Sequence, residues 1–421
     1  MFSSRRKAAA VAAAASLVLL APIQASVSAE PTAAAQEQEP AVYTVPNTDS
    51  TSRTEINRTG AQVIGVRDGV ATVEATPDQA ARLRASGFAL DGGTGISEAL
   101  QRVNRGKAAP GEFPPGYEGY HTYDETNAAL DKIVADHPDI AAKSSVGKSF
   151  EGRDIPMLKI SDNVGKDEDE PEVLFDCNQH AREHLTTEMC LRIATRFTDG
   201  YASDPAIKDV VDNREIWVIP IVNPDGSSYD IESGNFAGWR KNRQDTGTDL
   251  NRNWGYKWGC CGGSSEDPNA EDYRGSAAWS APETTALRDF IDSRVVGGKQ
   301  QIKASIDFHT YSELVLWPFG HTQDQVTEGM TQEEYDRFAK VGGEMAKTNG
   351  YTPEQSSALY VTDGDILDWM WAQHKILAYT FEMYPSDSGG MDGFYPPADV
   401  IEKETARNDA AVDILLKEAG A

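Results

Sequence analysis

A histidine and a glutamate three residues apart at the end of an apolar run can converge on one metal ion. The chain carries that arrangement at His180-Ala181-Arg182-Glu183, directly after Val173-Leu174-Phe175-Asp176-Cys177. The run reads as a strand entering a helix, so that His180 leaves the strand end and Glu183 opens the first helical turn. Two histidines and one carboxylate leave zinc an open coordination position, which is the arrangement of a hydrolytic rather than a structural site. The chain has seven histidines. The best placed to be the second ligand is His309, which ends the strand-like run Lys303-Ala304-Ser305-Ile306-Asp307-Phe308. Residues that end strands meet along one edge of an α/β sheet, where such folds build their sites.

A zinc hydrolase also needs a base for the water and donors for the oxyanion. Glu382 ends the strand-like run Ala378-Tyr379-Thr380-Phe381 and so belongs at the same sheet edge. Two arginine-bearing stretches, Trp239-Arg240-Lys241-Asn242-Arg243 and Thr248-Asp249-Leu250-Asn251-Arg252-Asn253-Trp254, lie in a long irregular segment ending near Ser280. Guanidinium forks bind carboxylates bidentately and stabilise tetrahedral oxyanions. Arg240 and Lys241 are compatible with a solvated basic loop, whereas Asn251-Arg252 run into Trp254 and read as packed.

The elements that must hold these groups alternate between strand and helix. A helix over 122–137 stops at Pro138, and 144–160 reads as a strand pair turning at Glu151-Gly152-Arg153. The strand carrying His180 and a helix over 185–200 follow, then a strand over 216–222 ending in the turn Asn223-Pro224-Asp225-Gly226. Beyond the irregular segment come a helix over 281–293, strands over 304–308 and 314–318, helices over 332–349 and 365–373, a strand over 378–382 and a helix over 400–418. The fold class expected is α/β, with one mixed, mainly parallel sheet covered by helices on both faces.

With 421 residues, 39% of them hydrophobic, the chain can bury one large core and a smaller one. Its formal charge of −27 argues against nucleic acid or an anionic membrane as partner and reads as a solubility feature. A basic Ser4-Arg5-Arg6-Lys7, an alanine-rich apolar run to Leu20 and the small residues Val27-Ser28-Ala29 make residues 1–29 an expected secretory signal peptide, too short to span a bilayer. Residues 30–112 read as a propeptide: a flexible leader to about Thr54, a small β-α-β unit with strands over 62–66 and 69–74 and a helix over 76–86, and a cuttable linker over 107–111. The catalytic domain then covers 113–421.

Export permits disulfides among the four cysteines. A Cys177–Cys190 bridge would staple the metal loop to its helix, and the adjacent Cys260 and Cys261 either form a vicinal bridge or stay as thiols.

Taken together, these motifs resemble the zinc metallocarboxypeptidases that include pancreatic carboxypeptidases A and B, with the secreted bacterial carboxypeptidase T type most similar. The resemblance covers about 119–416 and rests on His180 to Glu183, Asn223 to Gly226, Trp239 to Arg243, Asp249 to Trp254, His309-Thr310-Tyr311-Ser312, Tyr360 and Thr380-Phe381-Glu382. It implies that His180, Glu183 and His309 hold one catalytic zinc, that Glu382 is the general base and that Arg243 polarises the scissile carbonyl. It also implies that Asn251, Arg252 and Tyr360 clamp the substrate's free C-terminal carboxylate, that Arg182 and Tyr311 line the next subsite, and that Asp249 holds His180.

The resemblance further implies a side-chain pocket walled by the apolar Leu367 with Asp365 beside it, accepting apolar and basic C-terminal residues; Asp365 also reads as a helix N-cap. The acidic stretch Ser161, Asp162, Glu168, Glu170 and Glu172 is similar to a structural calcium site of the carboxypeptidase T type, and the Cys177 and Cys190 spacing is similar to a bridge of carboxypeptidase B. The expected protein is a secreted monomer acting on peptides and proteins with a free C-terminus, inhibited by its own propeptide until cut.

Other readings make different demands. His180-x-x-Glu183-His184 also fits an inverted metalloprotease pattern in which both histidines bind zinc and Glu183 is the base, but that pattern needs a single helix. A non-catalytic relative would have lost Glu382 or Arg243. An amidase on the same scaffold would have no need of the Asn251-Arg252-Tyr360 clamp.

Overall fold

The computed structural model describes residues 39–386 and 390–420. The expected signal peptide and the first part of the leader lie outside the described residues.

The N-terminal unit runs β1 (Ala41–Val45), α1 (Ser50–Arg58), β2 (Gln62–Arg67), β3 (Val70–Ala75), α2 (Pro77–Ala85), β4 (Asp91–Gly95) and α3 (Ile96–Gln101). Its sheet has the order β2-β3-β1-β4, antiparallel throughout. Val45, Ile56, Val63, Val73 and Leu83 form its own core. The leader expected to be flexible to about Thr54 therefore contains a strand and most of a helix. The β-branched Ala-Val-Tyr-Thr-Val of β1 lies between proline- and glutamine-rich flanks that dominate composition, and Asp49 caps α1 with a reciprocal bond to Ser52. The glycine-rich 92–95 is strand β4 at the sheet edge, paired to β1.

The remainder is one eight-stranded sheet with helices on both faces. Its elements are α4 (Tyr123–Asp136), β5 (Ala141–Lys148), β6 (Asp154–Ile160), β7 (Glu172–Cys177), α5 (His184–Gly200), α6 (Pro205–Val211), β8 (Glu215–Ile219), α7 (Pro224–Asp230) and α8 (Pro282–Ser293). After a two-strand ribbon of β9 (Val295–Val296) and β10 (Lys299–Gln300) come β11 (Ile302–Thr310), β12 (Leu314–Trp317), α9 (Gln332–Asn349), β13 (Thr352–Gln355), α10 (Ser356–Leu359), α11 (Ile366–His374), β14 (Leu377–Met383), α12 (Ile401–Ala406) and α13 (Asp409–Ala419). The sheet order is β13-β12-β14-β11-β7-β8-β6-β5. The four central strands are parallel, and β5, β6 and β12 run against their neighbours β6, β8 and β14, so the sheet is mixed and mainly parallel as expected.

Strands β7 and β8 are buried at every residue, which is why Val173–Phe175 and Ile216–Ile219 read as continuous apolar runs rather than as alternating ones. Helix α4 begins at a capping box between Thr122 and Glu125 and ends before Pro138. Asn223-Pro224-Asp225-Gly226 starts helix α7 instead of a simple turn, because Asn223 accepts from Gly226 N and proline suits the first helical position. The single helix expected over 400–418 is two, interrupted near Asn408, whose side chain donates to Glu404 O and Tyr351 Oη. Among the described residues no helix is long and apolar enough to cross a membrane.

Candidate metal centre and substrate cleft

Register brings the candidate ligands together. Strands β7, β11 and β14 lie side by side and parallel, with Asp307 opposite Asp176 and His309 opposite Glu382, so their C-terminal ends present one edge. The chain leaving β7 turns at Asn178, whose positive φ of 58° and side-chain bond to His180 O fold the loop back before α5 begins.

At that edge His180 Nδ1 is 2.9 Å from Glu183 Oε1, and His309 Nδ1 is 2.9 Å from Glu183 Oε2 and 3.0 Å from His180 Nδ1. All three side chains are buried, and their donor atoms lie within 4.8 Å of one another. The far nitrogen of each ring is held by a carboxylate: His180 Nε2 is 3.0 Å from Asp249 Oδ1, and His309 Nε2 is 2.7 Å from Asp307 Oδ2. With Nε2 carrying the proton toward each carboxylate, both Nδ1 lone pairs face inward beside the Glu183 oxygens. Lone pairs so opposed repel, and a cation among them relieves the repulsion, so this donor set fits zinc. Burial alone would raise Glu183, but His180 and His309 hold it well below the usual carboxylate range. Burial likewise would raise Asp249, and Arg240 and His180 hold it low.

His184, the alternative ligand, points elsewhere: its Nε2 is 2.9 Å from Asp230 Oδ2. Glu382 lines the same cleft as the three ligands. Burial pushes its carboxyl up to about 8, with His309 opposing and Glu183 reinforcing.

The arginine at the centre is not the expected one. Arg243 does not line the cleft; its guanidinium lies 3.5 Å over the Tyr229 ring and 4.6 Å over Trp239. Arg240 lines it instead, donating to Asp249 Oδ2 from Nε (3.1 Å) and Nη2 (2.9 Å) and standing 3.8 Å from Glu183. Arg240 and Lys241 are buried, not a solvated loop, and Lys241 Nζ donates to Pro268 O and Ala270 O. The carboxylates of Asp249 and Glu183 compensate the Arg240 charge, whereas aromatic faces suffice for Arg243.

Asn251, Arg252, Tyr360, Asp365, Leu367, Arg182 and Tyr311 all line the cleft. Arg252 donates to Gly263 O (3.1 Å), and Asn251 accepts from Ile366 N (3.0 Å). Asp365 caps α11, accepting from Asp368 N at 2.8 Å and Thr362 Oγ1 at 2.5 Å, and burial with the nearby Asp368 pushes it up to about 7. Arg182 lies over the Phe394 ring and stands 3.6 Å from both Glu74 and Glu271. Gln62, Val63, Ile64 and Gly65 of the N-terminal unit line the same cleft. A Cβ on Gly65 would fall 2.9 Å from the Tyr311 ring, so only glycine lets β2 come this near.

The acidic stretch divides. Carboxylates of Asp162, Glu168 and Glu170 converge within 4.8 Å, and Ser161 is buried beside them, accepting from Asn163 N. Glu172 departs from that expectation: it faces into the sheet, accepting from Arg294 Nε and Trp217 Nε1. Strand position explains this, since Glu172 is the first residue of β7 and fully buried. Both cysteine pairs are bonded, Cys177 to Cys190 and Cys260 to Cys261.

Two groups escaped sequence reasoning. Asp307 had a signal: an acid in an apolar strand, two residues before His309 and so on the same face. Arg240 had none that separated it from Arg243.

Comparison with known proteins agrees with this chemistry. The zinc carboxypeptidase family pattern matches residues 126–411. A zinc carboxypeptidase of Saccharothrix mutabilis subsp. capreolus is 48% identical over 425 residues, covering 99% of this chain and 97% of that one. Rat carboxypeptidase A1 is 34% identical over 295 residues, covering 68% of this chain and 66% of its own. Among solved structures, carboxypeptidase A from Helicoverpa armigera superposes with a TM-score of 0.75 at 23% identity, over 91% of this chain and 98% of that one, which shows the fold.

Proposed function

Because the chain belongs to the zinc carboxypeptidase family, we propose that His180, Glu183 and His309 hold the zinc at which this metallocarboxypeptidase cuts the C-terminal peptide bond of its substrates. The observation that carries the assignment is the registered edge itself: Glu382 stands beside His309 on the neighbouring strand, facing three converging ligand atoms. Zinc bound there supplies a Lewis acid that acidifies water and polarises a carbonyl.

The chain's own groups do the rest. Glu382 takes the proton of the attacking water on its carboxylate and returns it to the departing amine. Arg240, compensated by Asp249, offers its guanidinium to the oxygen that becomes negative as the carbonyl is attacked. Asn251, Arg252 and Tyr360 receive the substrate's terminal carboxylate. An internal peptide segment brings no such charge and leaves the buried guanidinium without its ionic partner, which confines cleavage to chain ends. Arg182 and Tyr311 border the adjoining subsite. Leu367 gives the side-chain pocket an apolar wall and Asp365 gives it a carboxyl, so apolar and basic C-terminal residues are both accepted.

The chain is made as a secreted precursor in which residues 30–112 hold the enzyme inactive. Supporting this, four residues of β2 line the cleft, Arg53 of α1 donates to Ala358 O and Leu359 O, and Tyr360 packs on the core of the N-terminal unit. The enzyme then acts as a monomer. A structural calcium at Asp162, Glu168 and Glu170 would neutralise three converging carboxylates; added calcium should raise Tm, and no change would remove it from the account.

The test is release of amino acids from peptides ending in Leu, Phe, Lys or Arg, with the terminus free or amidated, by chain cut within 102–112. Release of all four from free termini only is expected. Release from amides would contradict the clamp, and release of Leu and Phe alone would leave Asp365 to helix capping.

A further inference from the structure

Among the described residues no carboxylate stands within ion-pair distance of the cleft arginine Arg252. Its Nε donates to the backbone oxygen of Gly263, 3.1 Å away, and its Nη1 to Asn251 O. Its position therefore depends on where the loop around Gly263 sits. That loop starts at the bonded pair Cys260–Cys261, of which Cys260 is exposed and Cys261 half-buried.

One buried carboxylate gathers the loop. Asp363, fully buried, accepts from Cys261 N and Gly263 N, both at 3.0 Å, and from Ser264 Oγ. A Cβ on Gly263 would lie 2.7 Å from Asp363 N, so the two backbones are in direct contact. On the other side Gly364, with a positive φ of 64°, accepts from Trp254 N at 2.9 Å. The segments carrying Arg252 and Tyr360 are thus tied together through Asp363 and the cysteine loop. The mechanism above uses neither.

We propose that Asp363 and the Cys260–Cys261 disulfide are positioning groups that aim Arg252 at the substrate's terminal carboxylate, and that reducing this disulfide weakens substrate binding. The inference rests on Arg252 being the carboxylate receptor. In the reduction a dithiol donates two electrons and two protons, the S–S bond breaks to two thiols, and the dithiol closes to its own disulfide. Cys260 is exposed, whereas Cys177 and Cys190 are fully buried, so a dithiol reaches the vicinal pair first. With the bond open, the loop regains backbone freedom and the Gly263 carbonyl no longer fixes the guanidinium. An interaction with the carboxylate that is the same in ground and transition states appears in KM rather than in kcat.

The experiment uses full chain activated by limited proteolysis and assayed with saturating zinc on a peptide ending in Leu. The variants are C260S/C261S, Asp363→Ala, Asp363→Asn and Arg252→Ala, with dithiol-treated wild type as a further arm. C260S/C261S, dithiol-treated wild type and Asp363→Ala should each raise KM about tenfold with kcat within about twofold. Asp363→Asn, which keeps an acceptor oxygen, should recover part of the loss. An unchanged KM in C260S/C261S, or a fall confined to kcat, overturns the proposal. If Arg252→Ala itself leaves KM unchanged, the carboxylate-receptor reading fails instead; if Arg252→Ala raises KM and the loop variants do not, only the positioning inference fails.

Discussion

Arg240 and Arg243 stand three residues apart in one irregular segment, yet only Arg240 reaches the cleft. Its guanidinium is held by Asp249 and faces Glu183, while that of Arg243 lies against the rings of Tyr229 and Trp239. Replacing Arg240 with Ala should therefore lower kcat about 10²- to 10³-fold, the usual loss for one oxyanion donor. Arg243→Ala should leave kcat nearly unchanged and lower Tm, since a half-buried cation–aromatic contact contributes about 0.5–2 kcal/mol. Steady-state kinetics and a thermal melt on the two variants separate these outcomes; equal losses of kcat would refute the assignment. That His180, Glu183 and His309 would converge was legible in the sequence because strand ends and a three-residue spacing constrain them. The arginine was not, because a loop without periodicity gives no rule for which side chain turns inward.

Among the elements, β7, β11 and β14 do the positioning. Their parallel register sets His309 beside Glu382 and places Asp307 on the face of His309, 2.7 Å from its Nε2. Asp307 therefore orients the ring and sets which nitrogen faces His180 and Glu183. Asp307→Ala should weaken zinc binding about 10- to 100-fold, as loss of a carboxylate behind a ligating histidine does. Competition with a chromogenic chelator measures this without reference to turnover, and unchanged affinity would assign Asp307 to packing. The central strands and long helices were readable because buried parallel strands are continuous apolar runs and helices such as α4 carry capping boxes. Short elements such as α6 and β13 were not read, being too brief for periodicity and fixed by what they pack on. In the N-terminal unit, averaging composition over 30–54 hid β1, which pairs with β3 on one side and β4 on the other.

At the scale of the whole molecule, the N-terminal unit and the sheet edge meet over the cleft, and one contact between them responds to pH. Burial, reinforced by Glu271, pushes Glu74 from its ordinary 4.5 up to about 7. A carboxyl raised in the folded chain holds its proton more tightly there than when unfolded. The stabilisation is complete below about 4.5 and lost as pH rises through about 7. Tm of the full chain minus that of Glu74→Gln should therefore fall over this interval; a difference that is flat or rises with pH would contradict the contact.

The proposed hydrolysis requires that one glutamate, Glu183, bind zinc and the other, Glu382, move the proton. Zinc content and turnover, measured together on activated Glu382→Gln and Glu183→Gln, decide it most directly. Full zinc with turnover reduced about 10²- to 10⁴-fold in Glu382→Gln, and lost zinc in Glu183→Gln, are predicted. Retained zinc with abolished turnover in Glu183→Gln, alongside an active Glu382→Gln, would contradict it.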